Sequence, residues 1–179
     1  IGDVYSMIVF GLDIEEFEYA YQIDGPYDPQ NGLTFNPNAV LLDPYARSVT
    51  STRVWGDRKS RCYHARVIKD VFDWGAMPQS TRTMSALIIY ELHVRGFTFH
   101  PSSGVTHRGT FAGLMEKIPY LKELGINAVE LMPIFEFDEA MDAREVNGKK
   151  LLDYWGYNTV GFFAPNTTYI ANDEYNQEG

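Results

Sequence analysis

The rhythm of apolar and polar positions changes near residue 86, and the change divides the chain into two kinds of predicted structure. Upstream, Val4–Phe10 and Phe17–Ile23 gather aromatic and β-branched residues over strand lengths, the second with partial alternation. Turn chemistry follows each run. Asp24-Gly25-Pro26-Tyr27-Asp28-Pro29-Gln30-Asn31-Gly32 predicts an irregular loop, Asn36-Pro37-Asn38 repeats the punctuation, and Val40–Tyr45 is an apolar run stopped by Pro44. Together these predict a small β-sandwich module. Its basic segment, Arg58–Arg66, reads as a solvated face. Phe72-Asp73-Trp74-Gly75-Ala76-Met77-Pro78-Gln79-Ser80 reads as a linker pinned by an aromatic anchor, which places a domain boundary near residue 80 and divides the chain into 1–80 and 81–179.

Downstream, Ala86–Val94 is nearly continuous in apolar residues, as expected of a parallel strand buried on both faces. Two-residue alternation puts Glu91 and His93 on one face near its C-terminal end, where satisfied core polar groups are the expectation. A Gly/Ser/His loop, Gly96–Arg108, follows. Phe111, Leu114, Ile118, Leu121 and Leu124 then recur at helical spacing, with Thr110 or a neighbour as the cap and Gly125 as the stop. Pro119 lies inside that pattern, where an interior proline loses a hydrogen bond, so a short helix, a kink and a second helix starting near Pro119 are predicted. Asn127–Ile134 is the next strand, which completes a βαβ unit with the right-handed crossover usual for such units.

A polar, insertion-like loop, Glu136–Lys150, delivers the chain into Asp153-Tyr154-Trp155-Gly156-Tyr157-Asn158-Thr159. Loops after the C-terminal ends of parallel strands are where α/β folds place ligand sites. Three large rings beside an acid and an amide suit a pyranose, which offers an apolar C–H face rimmed by hydroxyls. Aromatic residues make up 15% of the chain, which also agrees with such a surface.

The net charge of −9 and the lack of a Lys/Arg run argue against nucleic acid as a partner, whereas a neutral polymer would not be repelled. Cys62 is the single cysteine, so no disulfide can form within these 179 residues. No stretch reaches the length of a membrane span. The first residues carry neither a basic n-region nor a signal-peptide core and no initiator Met, so a removed leader or a piece of a longer protein is expected. There is no Gly-rich phosphate loop, no nucleophile-elbow serine, and no metal-ligand spacing among His64, His93, His100 and His107.

Three ordered stretches resemble the isoamylase-type starch and glycogen debranching enzymes of the α-amylase superfamily. They are Tyr90-Glu91-Leu92-His93-Val94-Arg95-Gly96-Phe97-Thr98, the run from Gly109-Thr110-Phe111 through Leu124-Gly125-Ile126-Asn127-Ala128-Val129-Glu130-Leu131-Met132-Pro133, and Tyr154-Trp155-Gly156-Tyr157-Asn158-Thr159. Asp24–Pro29, Leu42–Ala46 and Phe72–Trp74 are similar to that family's N-terminal carbohydrate-binding-like β-sandwich. Leu33 stands where relatives often carry a His.

The resemblance implies a β-sandwich followed by the first part of a TIM (β/α)8 barrel: first strand, first helix, second strand and the loop after it. It also implies retaining hydrolysis of α-1,6 branch points in amylopectin, glycogen or limit dextrin. The nucleophile Asp and acid Glu would lie beyond Gly179, and the segment alone would be inactive and poorly stable. Glu91, Glu130, Glu136, Asp138 and Asp153 match none of the catalytic motifs. By resemblance Tyr157 stacks on the glucose at the cleavage subsite, Trp155 is either a second contact or a packing residue, and Asp153 and Asn158 are weaker candidates. Glu136, Asp138 and Glu139 carry oxygens of the kind that hold calcium in some relatives, but solvated acids are the expectation there, and no cofactor or metal is expected. Asn166-Thr167-Thr168 is read as a chance glycosylation sequon.

Competing readings are a non-catalytic glucan-binding or scaffold subunit, a branching enzyme, and a maltooligosyl-trehalose hydrolase. Homo- or hetero-oligomers with isoamylase subunits agree with the family. The expected compartment is the plastid stroma in a plant or alga and the cytoplasm in a bacterium, without secretion.

Overall fold

The computed structural model describes residues 6–14, 16–50, 54–57, 63–69, 72–76 and 82–171. The linker residues Met77–Ser80, the predicted boundary, Val4-Tyr5, and Arg58–Cys62 of the basic segment lie outside them.

The first half is built from short pieces. Strands β1 (Glu18–Tyr19), β4 (Ser48–Val49) and β5 (Ala65–Arg66) form an antiparallel sheet ordered β1-β5-β4, and β2 (Tyr27–Asp28) pairs with β3 (Leu33–Thr34) as a hairpin. One further bridge joins Tyr21 to Leu41. The Gly/Pro punctuation read from the sequence limits each strand to two residues. Residues 6–10 carry no strand, contrary to expectation, and Met7, Ile8 and Phe10 are exposed, so no sheet face rewards their extension. The basic segment is likewise not simply a solvated face. Ala65 is fully buried in β5, and the Arg66 guanidinium donates to the Glu18 carboxylate at 3.0 Å.

The second half begins with β6 (Ile89–Leu92), which pairs in parallel with β7 (Ala128–Leu131) in the register Ile89↔Ala128 through Leu92↔Leu131. The Asn127 side chain ties the two entrances together, its Oδ1 accepting from the Ile88 amide at 2.8 Å and its Nδ2 donating to the Ala86 carbonyl at 2.9 Å. The predicted burial on both faces is not realised. Ile88 and Ile89 are about half exposed and Val129 is 43% exposed, and among the described residues this sheet has two strands with both outer edges open. The register also sets Glu91 beside Glu130, a like-charge pair that exposure to water screens.

Between these strands lie helix α1 (Val94–Thr98) and then α2 (Phe111–Glu116) and α3 (Ile118–Glu123). The expected break is there. Lys117 ends α2 and begins α3, and Pro119 sits in the first turn of α3, where its missing N–H costs nothing. Thr110 caps α2, its Oγ1 accepting from the Gly113 amide at 3.1 Å and donating to the His107 carbonyl at 2.8 Å. Gly125 stops α3 with φ +87°. Leu121 is buried, Phe111 and Leu114 pack half-buried on the core, and Ile118 and Leu124 stay exposed.

The expected polar loop at 136–150 is instead two strand pairs. β8 (Phe135–Phe137) pairs antiparallel with β11 (Thr159–Pro165) across register shifts, and β9 (Arg144–Val146) and β10 (Lys149–Leu151) form a hairpin. Its two-residue turn is Asn147-Gly148, both with positive φ, the type I′ geometry that Asn-Gly favours.

Two apolar cores result. One gathers Ala46, Val49, Tyr63 and Ala65 from the first half with Ala164 of β11, and Val160 packs against it. The other gathers Val94, Phe137 and Tyr169, with Trp55 packed on them. Both cores draw residues from either side of residue 80, so in the described residues the halves share their interiors. Thr110→Ala removes both cap bonds and is expected to lower stability by about 1 kcal/mol, read as a reduced denaturation midpoint in the intact protein.

Candidate functional site

The aromatic turn at 153–158 is held from below. Asp153 Oδ1 accepts from the amides of Trp155 (3.0 Å) and Gly156 (3.3 Å), closing the turn on its own side chain. The Asp153 amide donates to the Glu139 carbonyl at 2.9 Å, and Asn158 Nδ2 donates to the Asp138 carbonyl at 3.1 Å. Gly156 has φ +80°, and a Cβ there would meet the buried Phe137 ring at 2.6 Å. Only glycine fits that position.

Above this base the rings face water. Tyr157 is 73% exposed and Trp155 55%. Trp155 contacts the Tyr154 ring edge-on at 5.5 Å. Of the four residues singled out in the sequence, Tyr157 and Trp155 thus offer open apolar faces, while Asp153 and Asn158 spend hydrogen bonds on holding the turn.

Tyr154 lays one face of its ring on the protein and stays partly exposed. Its ring lies parallel on the His93 imidazole, centroids 4.1 Å apart and planes at 8°, and its hydroxyl sits over the α-carbon of Gly96, where a Cβ would overlap it. His93 is buried and caps α1, its Nδ1 accepting from the Gly96 amide at 3.0 Å. Nδ1 therefore carries no proton, and the neutral ring donates from Nε2 to the Tyr154 carbonyl at 2.7 Å. Burial lowers the His93 pKa from its usual 6.5; the bond to Tyr154 opposes that shift and the Arg95 charge adds to it. The Arg95 guanidinium lies over Trp55 at 4.7 Å and over Phe99 at 4.1 Å. Trp55 stacks on Tyr169 and meets Phe137 edge-on.

The three acids expected to be solvated are buried. Glu136 accepts from the Thr167 amide at 2.7 Å and its hydroxyl at 3.3 Å, Glu139 accepts from the Gly56 amide at 2.7 Å, and Asp138 accepts from the Ala140 amide at 2.9 Å. A buried carboxylate needs such donors, and backbone amides supply them here. Among the described residues no three His, Cys, Asp or Glu side chains converge as a metal site. Asn166 of the sequon is fully buried, its Oδ1 accepting from the Thr168 amide and hydroxyl, which agrees with a chance match. Among the described residues no helix is long and apolar enough to cross a membrane.

The catalytic-domain model of the alpha amylase family matches residues 75–177. The chain belongs to the α-amylase family. Among similar α-amylase-family proteins, it is 42% identical over 178 residues to the chloroplastic isoamylase 3 of Oryza sativa, covering 95% of this chain and 23% of that protein. It is 34% identical over 173 residues to the glycogen debranching enzyme of Yersinia enterocolitica, covering 87% of this chain and 26% of the relative. The chain thus spans about a quarter of the length of these relatives. The crystal structure of a pullulanase from Anoxybacillus complexed with maltotetraose superposes with a TM-score of 0.55 at 29% identity, over 73% of this chain and 19% of that one. These matches support a partial amylase-type TIM-barrel fold.

His93, Arg95, Trp55 and Phe137 escaped the sequence reading of the site. For His93 a signal exists, since a side-chain acceptor three residues before a glycine amide has the spacing of an N-cap. For Trp55 none does, because it arrives from the other half of the chain. Gly156→Ala is expected to cost about 2 kcal/mol or more, from the left-handed backbone and the clash with Phe137, measurable as a lowered unfolding midpoint.

Proposed function

We propose that the full-length protein is a debranching hydrolase that cleaves α-1,6-glucosidic branch points of amylopectin, glycogen or limit dextrin, and that this chain contributes the glucan platform. The observation that carries the reading is the exposed Tyr157 ring on a turn fixed from below, in a chain whose relatives are named isoamylase and glycogen debranching enzyme. A rigid flat ring can stack on the C–H face of a glucose at little entropic cost, and Trp155 extends the surface to a second sugar. Asp153 and Asn158 hold the turn through their own hydrogen bonds and are the weaker sugar contacts, the Asn158 Oδ1 being buried.

The reaction proceeds with retention, a carboxylate nucleophile and a carboxylic acid standing roughly 5 to 5.5 Å apart across the scissile bond. We assign neither role to a carboxylate of this chain, and backbone amides already engage Glu136 and Glu139. Residues 1–80 form a carbohydrate-binding-like β-sandwich module and linker, and 81–179 the first part of the catalytic barrel. The exposed Ile88, Ile89 and Val129 then belong under the remaining strands of the eight-stranded closure. The protein acts without secretion, in the plastid stroma if from a plant or alga and in the cytoplasm if bacterial, as a homo-oligomer or with other isoamylase subunits.

Incubation of the full-length protein with amylopectin tests this directly. Release of linear chains with loss of branch points is expected; a gain of branch points identifies a branching enzyme, and binding without turnover a non-catalytic subunit. In the same protein Tyr157→Ala is expected to lower kcat/KM on limit dextrin by at least about tenfold and Tyr21→Ala by less than about twofold, because stacking at the reacting sugar helps reach the transition state. Equal effects at matched stability would remove Tyr157 from the site.

A further inference from the structure

We propose that His93, as the neutral imidazole protonated on Nε2, is the positioning residue of the glucan platform, holding the Tyr154–Tyr157 turn in a fixed place against the C-terminal end of β6. The proposal rests on the reading of Tyr157 as a glucan contact. Three contacts converge on this one ring. Nδ1 accepts from the Gly96 amide at 3.0 Å, Nε2 donates to the Tyr154 carbonyl at 2.7 Å, and the ring face packs on the Tyr154 ring at 4.1 Å. The Tyr154 carbonyl belongs to the peptide that enters the exposed part of the turn, three residues before Tyr157. The bond therefore fixes where the Trp155 and Tyr157 rings stand relative to the sheet end.

The groups facing the imidazole are Arg95 from α1, Tyr154 from the turn and Tyr169 from the 3-10 turn after β11, while the Glu139 and Asp153 charges act on the Tyr169 hydroxyl. The Tyr169 hydroxyl lies 3.3 Å from Nε2. Protonating Nδ1 would set its N–H against the Gly96 N–H, donor facing donor, beside the Arg95 charge and in a buried site. The imidazolium is incompatible with the cap, so the platform is at its best above the ordinary histidine pKa. Since the folded-state pKa lies below the unfolded one, the order that His93 confers is complete above about pH 6.5 and is lost as pH falls from there through the lower folded value.

Two substitutions separate the functions of the ring. His93→Asn keeps an acceptor for the Gly96 amide and loses the donor to Tyr154; His93→Gln keeps a donor near the Nε2 position and loses the acceptor. Maltotetraose binding to the full-length protein, followed by tryptophan fluorescence, and the unfolding midpoint are measured together. His93→Asn is expected to bind roughly fivefold or more weakly at a near wild-type midpoint, while His93→Gln recovers most of the affinity at a lowered midpoint. Wild-type affinity is expected to fall as pH is taken down from about 6.5 through the lowered folded-state value, and the fall to be smaller in His93→Gln.

Weakening by the two variants in proportion to lost stability, or a flat wild-type profile over that range, overturns the positioning role. Should His93→Asn fail to fold, the wild-type and His93→Gln profiles decide alone. Tyr157→Ala, measured alongside, separates the two claims. Unchanged binding there defeats the platform reading, whereas weakened binding with an unaffected His93→Asn defeats only the role of His93.

Discussion

The contact between Gly156 and the ring of Phe137 sets the height of the aromatic turn above the protein. Phe137 is fully buried at the end of β8, and the positive φ of Gly156 lets backbone lie where any side chain would collide with that ring. Because Phe137 also packs with Tyr169 and Trp55, the platform stands on a core rather than on a free loop. A ring proposed to meet a sugar face would gain from such support, since freedom lost on folding is not lost again on binding.

The same core explains why the acidic stretch after β7 is not a solvated surface. Glu136 and Glu139 leave water with donors supplied from distant parts of the chain, the Thr167 and Gly56 amides among them. Each carboxylate thereby serves as a joint. Glu136 fastens β8 to the 3-10 turn beyond β11, and Glu139 fastens the segment before the aromatic turn to the tip beside Trp55. Charge within a sequence run says how much solvation must be replaced, and the fold decides what replaces it.

Local signals carried much of the second half. The helical spacing from Phe111 to Leu124, the break at Pro119, the cap at Thr110 and the stop at Gly125 are all short-range effects, and all appear in the structure. So does the parallel pair, though with shorter strands, since α1 begins at Val94 and a five-residue helix leaves no period to detect. The β9–β10 hairpin was legible in Asn147-Gly148 but hidden by the charge around it. The aromatic turn was visible as a cluster, but its supports were not. Trp55, Phe137 and His93 reach it through contacts more than fifteen residues apart in sequence, which neither period nor propensity encodes.

The platform and the parallel strands also differ in what holds them. Ile89 and Val129 keep large exposed faces, so the β6–β7 pair buries little apolar surface through its own side chains, while Phe137, Tyr169 and Val94 are almost wholly excluded from water. By that measure the strongest local order lies under the aromatic turn and not in the sheet. The side chain that spans the difference is His93, which leaves the end of β6 and takes its partners from α1 and the turn. Displacement of the sheet end reaches the rings through this imidazole and the Tyr154 carbonyl, whereas the Gly156–Phe137 contact resists it. The Asp153 and Asn158 bonds close the turn on itself and on the segment after β8. The His93 bond and the Gly156–Phe137 surface set it against the sheet end and the core, and of these last two only the hydrogen bond depends on protonation.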